Sequence, residues 1–256
     1  MTQVKCPAAL ALGCELRDAR IAAGMTPAEL AAAIQVGREY VHYLEHGYRT
    51  LSSTHLARTS GVLGISGVGY QRLMDLARQA GEADLIAVEP EHDAALAREY
   101  ERLATTVLVW APWELPVPLR TVDYTRAVLR GSTEDQLVAH LARVSTAPRG
   151  YTAILSEDVL CHPAVGRDQL DWLYHNTSTV SLRIVPRARC RVPAAFTCLT
   201  SARFPATIIA AHQHVHAYLT SKRVVTHYHD TVQQLLDHAL SEDKSRELIA
   251  KNLVNA

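Results

Sequence analysis

Between Gly24 and Gly47 the sequence ends a helix, starts a second, breaks it and ends a third, and this punctuation restricts the fold of the N-terminal part more than any other feature. Leu12, Leu16, Ala19 and Ala23 recur at helical spacing, and Gly24 follows as a residue that takes the left-handed conformation ending a helix. Thr26-Pro27-Ala28-Glu29 then combines an N-cap hydroxyl, a proline at the first helical position and a glutamate at the third, the capping-box arrangement. A second helix is predicted from Pro27, with Leu30, Ala31 and Ile34 inward. A turn at Gln35-Val36-Gly37 opens a third helix, Arg38 to His46, closed by Gly47 and burying Val41 and Leu44. A fourth follows the Ser52-Ser53-Thr54 caps, with Leu56 and Leu63 facing in, and a fifth covers Tyr70 to Ala80. Five short helices, the second and third joined by a tight turn, describe a helix-turn-helix bundle. Periodicity alone also suits a generic small helical domain.

A chain of 256 residues accommodates this small domain and a medium one beside it. The segment Gly81 to Asp93 is acidic, contains Pro90 and lacks a clear amphipathic period, so it reads as a linker or docking segment with the domain boundary near Gly81. Beyond it, strands are predicted at Tyr151–Leu155, Val180–Val185, Ala194–Leu199 and Ala206–Ala211. Helices are predicted near Thr121–Arg130, Thr133–Val144, Asp168–Asn176, Val224–His238 and Glu242–Val254. The expected fold class is α+β: a five-helix bundle over residues 1–81, then a mixed α/β domain over 82–256.

Composition narrows the function classes. A hydrophobic fraction of 48% with 20% charged residues is that of a folded globular chain. No apolar run approaches the ~18 residues that span a bilayer, and the N-terminus lacks a basic start ahead of a signal-peptide core, so no membrane role and a cytoplasmic location are expected. Five cysteines at irregular spacings, without CxxC, describe neither a disulfide framework nor a zinc module. The formal net charge is zero, which argues against a broad basic surface for nucleic acid. Up to Ser66, Lys5, Arg17, Arg20, Arg38, Arg49 and Arg58 stand against Glu15, Asp18, Glu29, Glu39 and Glu45, a balance of only one positive charge.

The run from Leu12 to Ile65 resembles the XRE-type, phage-repressor-like domain nearly position for position, with landmarks at Leu16-Arg17, Arg20, Gly24, Leu30-Ala31, Val36, Val41, Leu44-Glu45, Gly47, Leu56 and Leu63-Gly64-Ile65. The remainder is similar to the domain that follows this unit in actinomycete, antitoxin-like regulators of the Scr type. That similarity is carried by Glu101, Ala104, Leu115-Pro116, Leu119-Arg120-Thr121, Tyr124, Arg126-Ala127-Val128, Ile154-Leu155, Glu157, Leu160 and Val165-Gly166. It continues more weakly through Gln169-Leu170, Val185-Pro186, Phe196, Tyr218-Leu219, Tyr228, Ala239-Leu240 and Ser245. The resemblance implies a transcriptional regulator of double-stranded DNA, with a small partner protein encoded nearby acting on the C-terminal domain. It implies no cofactor.

In a helix-turn-helix the second helix of the motif enters the major groove, and its N-terminal outward side chains reach base edges. Here these are Arg38, Glu39, Tyr40, His42 and Tyr43. Arg38 suits a bidentate pair with guanine, Glu39 an acceptor for cytosine N4, and Tyr40, His42 and Tyr43 suit base or phosphate contacts. Arg17, Tyr48 and Arg49 are the candidate phosphate contacts, which position the protein without reading sequence. The resemblance makes Glu45 structural, paired with Arg17 or Arg20. Paired half-sites predict a homodimer. Two departures from the family pattern bear on affinity: Pro27 replaces a common glutamine, and Gly37 replaces a serine or threonine cap.

The histidines of His212-Gln213-His214-Val215-His216 supply the other candidate chemistry. If Ala206 to Leu219 is one strand, His212, His214 and His216 share a face in a geometry that can hold zinc; a solvated strand face is the commoner arrangement. Cys161-His162 invites a thiolate–imidazole reading, but neighbours on a strand point apart. No GxGxxG, P-loop, HExxH or GxSxG occurs, and no catalytic residue is assigned. The alternative function is a family member that has lost operator binding and acts as an enzyme or a metal or small-molecule binder through its His- and Tyr-rich C-terminal domain.

Overall fold

The computed structural model describes residues 4–88, 94–131, 133–141, 150–176, 180–192, 194–212 and 215–255. In chain order the elements are α1 (Pro7–Ala22), α2 (Pro27–Ala33), α3 (Arg38–Glu45), α4 (Ser53–Val62), α5 (Gly67–Gln79), β1 (Leu85–Val88), α6 (Ala94–Leu103), β2 (Thr106–Ala111), α7 (Val122–Val128), α8 (Glu134–Leu141), β3 (Tyr151–Ser156), α9 (Arg167–Asn176), β4 (Ser181–Val185), β5 (Phe196–Thr200), β6 (Thr207–His212), β7 (Val215–Leu219), α10 (Lys222–His238) and α11 (Glu242–Asn255). The class is α+β, a helical N-terminal region followed by a region that mixes sheet and helix. No described helix is long and apolar enough to cross a membrane.

The chain divides into two compact units, Met1–Ala104 with Leu199–Val225, and Thr105–Cys198 with Thr226–Ala256. The first unit holds α1 to α6 together with β1, β6 and β7. Its helical bundle buries Leu10, Leu12, Leu16, Leu30, Ile34, Val41, Leu44 and Leu56, each no more than 1% exposed. α1 packs against α3, α5 and α6. The capping box forms as the sequence dictates: Glu29 N donates to Thr26 Oγ1, and Thr26 N donates to Glu29 Oε2. At the start of α1 the Cys6 sulfur takes the capping position instead of an oxygen, accepting from Ala9 N and donating to Ala80 O. Burial pushes this thiol up from its ordinary pKa, so it stays protonated and able to donate.

Past Gly81 the chain enters β1, which pairs antiparallel with β7, Leu85 opposite Tyr218 and Ile86 opposite Ala217. The expected linker or docking segment is therefore partly a strand, while residues 89–93 lie outside the described residues. A four-residue strand with Leu85 buried and Ile86 exposed is too short for its alternation to stand out in sequence. β6 and β7 pair antiparallel, with Ile208 opposite Leu219 and His212 opposite Val215. Tyr100 of α6 fills the space beneath, edge-on to Phe204 at 4.9 Å and stacked with Tyr218 at 5.5 Å.

In the second unit β2, β3 and β4 run parallel, Trp110 opposite Ile154 and Leu155 opposite Ile184. Parallel strands are covered on both faces and so read as apolar runs without alternation, as Tyr151-Thr152-Ala153-Ile154-Leu155 does. Residues that carry the C-terminal similarity brace this unit. Tyr124 Oη accepts from Leu115 N, Arg120 Nε donates to Leu115 O, and Gln169 joins Thr121 N to Leu119 O. Ser245 Oγ accepts from Ile184 N, which ties α11 to β4. Trp110 Nε1 donates to Val192 O.

Candidate nucleic-acid interface

The turn between α2 and α3 positions the candidate reading helix. Gln35 takes a left-handed backbone, φ +58°, unusual for a side chain other than glycine. Arg58 of α4 braces it, donating from Nη1 to Ile34 O and to Gln35 Oε1. Gly37 then caps α3 in an extended conformation with no side-chain hydrogen bond. A Cβ at that position would meet nothing within 4 Å, so glycine there answers no steric demand.

Along α3, Val41 and Leu44 are buried, as predicted, and face α1 and α2. Arg38, Glu39 and His42 are exposed, while Tyr40 and Tyr43 are half-buried. At the N-terminal end of the helix Arg49 lies over the Tyr40 ring at 5.3 Å, and the His55 ring of α4 is tilted against it at 5.8 Å. At the C-terminal end the rings of His42, Tyr43, His46 and Tyr48 form one cluster. The His42 and His46 centroids are 4.2 Å apart, and Tyr48 stacks on His46 at 5.9 Å. The structure thus brings Arg38, Glu39, Tyr40, His42, Tyr43, Tyr48 and Arg49 to α3 and the loop after it. It adds His46 and His55, which the spacing argument passed over because one lies at the helix end and the other on α4.

Glu45 resolves to Arg20. Arg20 Nε donates to Glu45 Oε1 at 2.5 Å and Nη2 to Oε2 at 2.9 Å, while Nη1 reaches Met25 O at 2.8 Å. Both side chains are less than 10% exposed. A planar fork on a buried carboxylate fixes α1 against the end of α3, and removing one partner from such a pair costs about 3–5 kcal/mol. The close approach has a steric signature as well. A Cβ on Gly13 would fall 2.5 Å from Leu44 O, and one on Gly47, where φ is +66°, would fall 2.7 Å from Leu10 Cα.

Arg17 departs from its expected place among the phosphate contacts. Its Nη2 donates to Glu99 Oε2 at 3.3 Å, and its side chain is 23% exposed. Glu99 lies on α6, is 4% exposed, and receives two further hydrogen bonds from Arg102 at 3.0 and 2.6 Å. Burial alone would raise the Glu99 pKa, but the hydrogen bonds and charges of Arg102 and Arg17 outweigh it and hold the carboxyl at about 2. The sequence carried a signal for this group: Leu96, Glu99, Tyr100 and Leu103 fall on one helical stripe, and a carboxylate on an apolar stripe demands a cation.

The histidine face dissolves. β6 and β7 are separate antiparallel strands, and directly opposite residues in a ladder share a face. His212 sits opposite Val215 and His216 opposite Ala211, so the two histidines fall on opposite faces. His214 lies outside the described residues. Among the described residues no three His, Cys, Asp or Glu side chains are placed to hold a metal ion. Cys161 and His162 do not address each other: Cys161 Sγ accepts from Arg187 Nη2, and His162 Nδ1 accepts from Ala164 N.

Comparison with known proteins matches two separate segments of the chain. Residues 11–75 match the family model of a helix-turn-helix domain, and residues 94–251 match the family described as a domain of unknown function (DUF5753). No curated protein matches the chain. A solved structure described as that of TrmBL2, an archaeal chromatin protein with a novel mode of DNA binding, aligns over 85% of this chain and 88% of that one, at 11% identity and a TM-score of 0.34. A score that low establishes no common fold.

Proposed function

This chain belongs to the DUF5753 family and carries a helix-turn-helix domain ahead of the matched segment, and from that premise we propose that it is a sequence-specific DNA-binding transcriptional regulator of the XRE class. The observation that supports the reading best is α3 itself: Arg38, Glu39 and His42 are exposed on its outer side while Val41, Leu44 and Glu45 fix its inner side. A rigid helix with exposed polar side chains at its N-terminal half is what major-groove readout requires.

In this reading Arg38, Glu39 and Tyr40 read base edges, and His42, Tyr43, Tyr48 and Arg49 serve the flanking backbone. Arg17 is left out of the set, because it turns to Glu99 and only 23% of its side chain is exposed. The protein acts as a homodimer on paired half-sites, and the segment beyond residue 94 receives a signal from a small partner protein or ligand. Selection of the full chain on random duplexes tests the reading. Enrichment of one sequence, with two related halves about one helical turn apart, is the expected result. Recovery of no preferred sequence contradicts it.

A further inference from the structure

α6 lies within the segment matched by the DUF5753 family, yet it belongs to the same compact unit as the helix-turn-helix. Its Glu99 is the centre of a three-residue charge cluster whose other members are Arg17 of α1 and Arg102 of α6. Two guanidiniums share one carboxylate, so the cluster keeps one net positive charge. The exposure within it is graded: Glu99 is 4% exposed, Arg17 23% and Arg102 55%. The surplus cation is therefore presented to solvent on Arg102.

Its position follows from the neighbours. Arg102 lies within electrostatic range of the Tyr48 hydroxyl, and Arg17 and Glu99 within that of the His46 ring. Tyr48 and His46 are the end of the aromatic cluster that begins at His42 on α3. α1, which carries Arg17, packs against both α3 and α6, so the charge cluster adjoins the elements that carry the aromatic cluster. Arg98 is exposed one turn earlier on α6, and residues four apart share a helix face.

We propose that Arg102 of α6 is a phosphate-contacting residue of the DNA interface, held in place by Glu99 and backed by Arg17, so that the binding surface extends beyond the helix-turn-helix into the family domain. This rests on the DNA-binding reading of α3. The cationic role that sequence spacing gives to Arg17 passes to the residue at the outer end of the same cluster. An arginine fixed by a buried carboxylate loses little freedom when it meets a phosphate, and its remaining N–H groups stay available.

A contact of this kind carries charge but no sequence information, which sets the test. Affinities of the full-length protein for its selected duplex and for a scrambled duplex are measured across about a fourfold range of salt concentration. Arg102→Gln is expected to weaken both duplexes by a similar, several-fold factor and to make the log–log salt slope shallower by about one. Arg102→Lys restores the charge and is expected to recover the slope; Arg102→Gln also takes two hydrogen bonds from the buried Glu99 carboxylate, so it is expected to melt below the parent while staying folded at the assay temperature, which circular dichroism checks. An unchanged slope in Arg102→Gln, with Arg38→Ala still abolishing the preference for the selected duplex, overturns the proposal and leaves the reading of α3 intact. Absence of binding by the parent protein to either duplex removes the reading of α3, and this proposal with it.

Discussion

The two ends of α3 are built on opposite principles. At its C-terminal end the backbone is clamped: Gly13 and Gly47 let α1 approach within contact of the main chain, and Arg20 and Glu45 close a buried ion pair across the join. At its N-terminal end no ion pair closes the helix: Arg58 braces the preceding turn, Val41 is buried, and Tyr40 has ring contacts with Arg49 and His55. Gly37 offers no capping side chain, and Arg38 and Glu39 point into solvent. One end stores stability and the other is open to solvent, as the proposed reading of DNA requires. Substitutions at the two ends should therefore separate into those that change melting and those that change DNA affinity.

The largest effect is expected at the clamp. Glu45→Ala leaves the Arg20 guanidinium buried without its carboxylate, and a loss of about 3–5 kcal/mol in unfolding free energy is expected; a variant melting like the parent would mean that the pair contributes nothing to the join. Gly13→Ala comes next. Its methyl group has to displace the backbone oxygen of Leu44, a contact of 2.5 Å, so about 1–3 kcal/mol of destabilisation is expected by denaturant titration.

A third test uses pH on the charge cluster behind the clamp. Glu99 titrates lower folded than unfolded, so the stability it contributes is present above the unfolded carboxyl pKa and is lost as pH falls through the folded value near 2. Acid unfolding of the parent should steepen over that window, and Glu99→Gln should flatten this limb. An identical acid limb in both proteins would disconnect Glu99 from the stability of the unit.

The smallest expected change lies at the open end. Gly37→Ser supplies the missing cap hydroxyl where a Cβ meets no obstacle, a gain of a few tenths of a kcal/mol. A loss of stability there would mean that the extended Gly37 conformation is under a constraint its surroundings do not reveal.

The same contrast governs what can be read from the sequence. The clamp and the turn lie within a short stretch whose signals are local: Gly24 stops α1, Thr26 and Glu29 box α2, Gly47 stops α3, and each residue fixes its own neighbourhood. The end of α1 and the boundaries of α2 to α4 follow from those signals to within a few residues, while the start of α1 at Pro7, capped by the Cys6 sulfur, lies ahead of the Leu12 periodicity. β1, β2 and β7 are defined instead by partners far along the chain, Leu85 by Tyr218 and Val107 by Tyr151, and no local pattern announces them. Merging β6 and β7 into one strand placed His212 and His216 on one face, whereas the antiparallel register separates them. The Arg20–Glu45 pair came from a position-by-position resemblance. Glu99 and Arg102 stayed hidden because α6 follows a segment that reads as a linker.

The account stands on the claim that the exposed N-terminal half of α3 reads DNA. The most direct measurement compares Arg38→Ala and Tyr40→Ala with the parent for affinity on the selected and the scrambled duplex, with thermal melting recorded on the same samples. The account predicts that Arg38→Ala lowers the ratio of the two affinities by about fivefold or more, in line with ~1–3 kcal/mol for a base-specific contact, that Tyr40→Ala lowers it less, and that both melt like the parent. An unchanged ratio in both variants would contradict it.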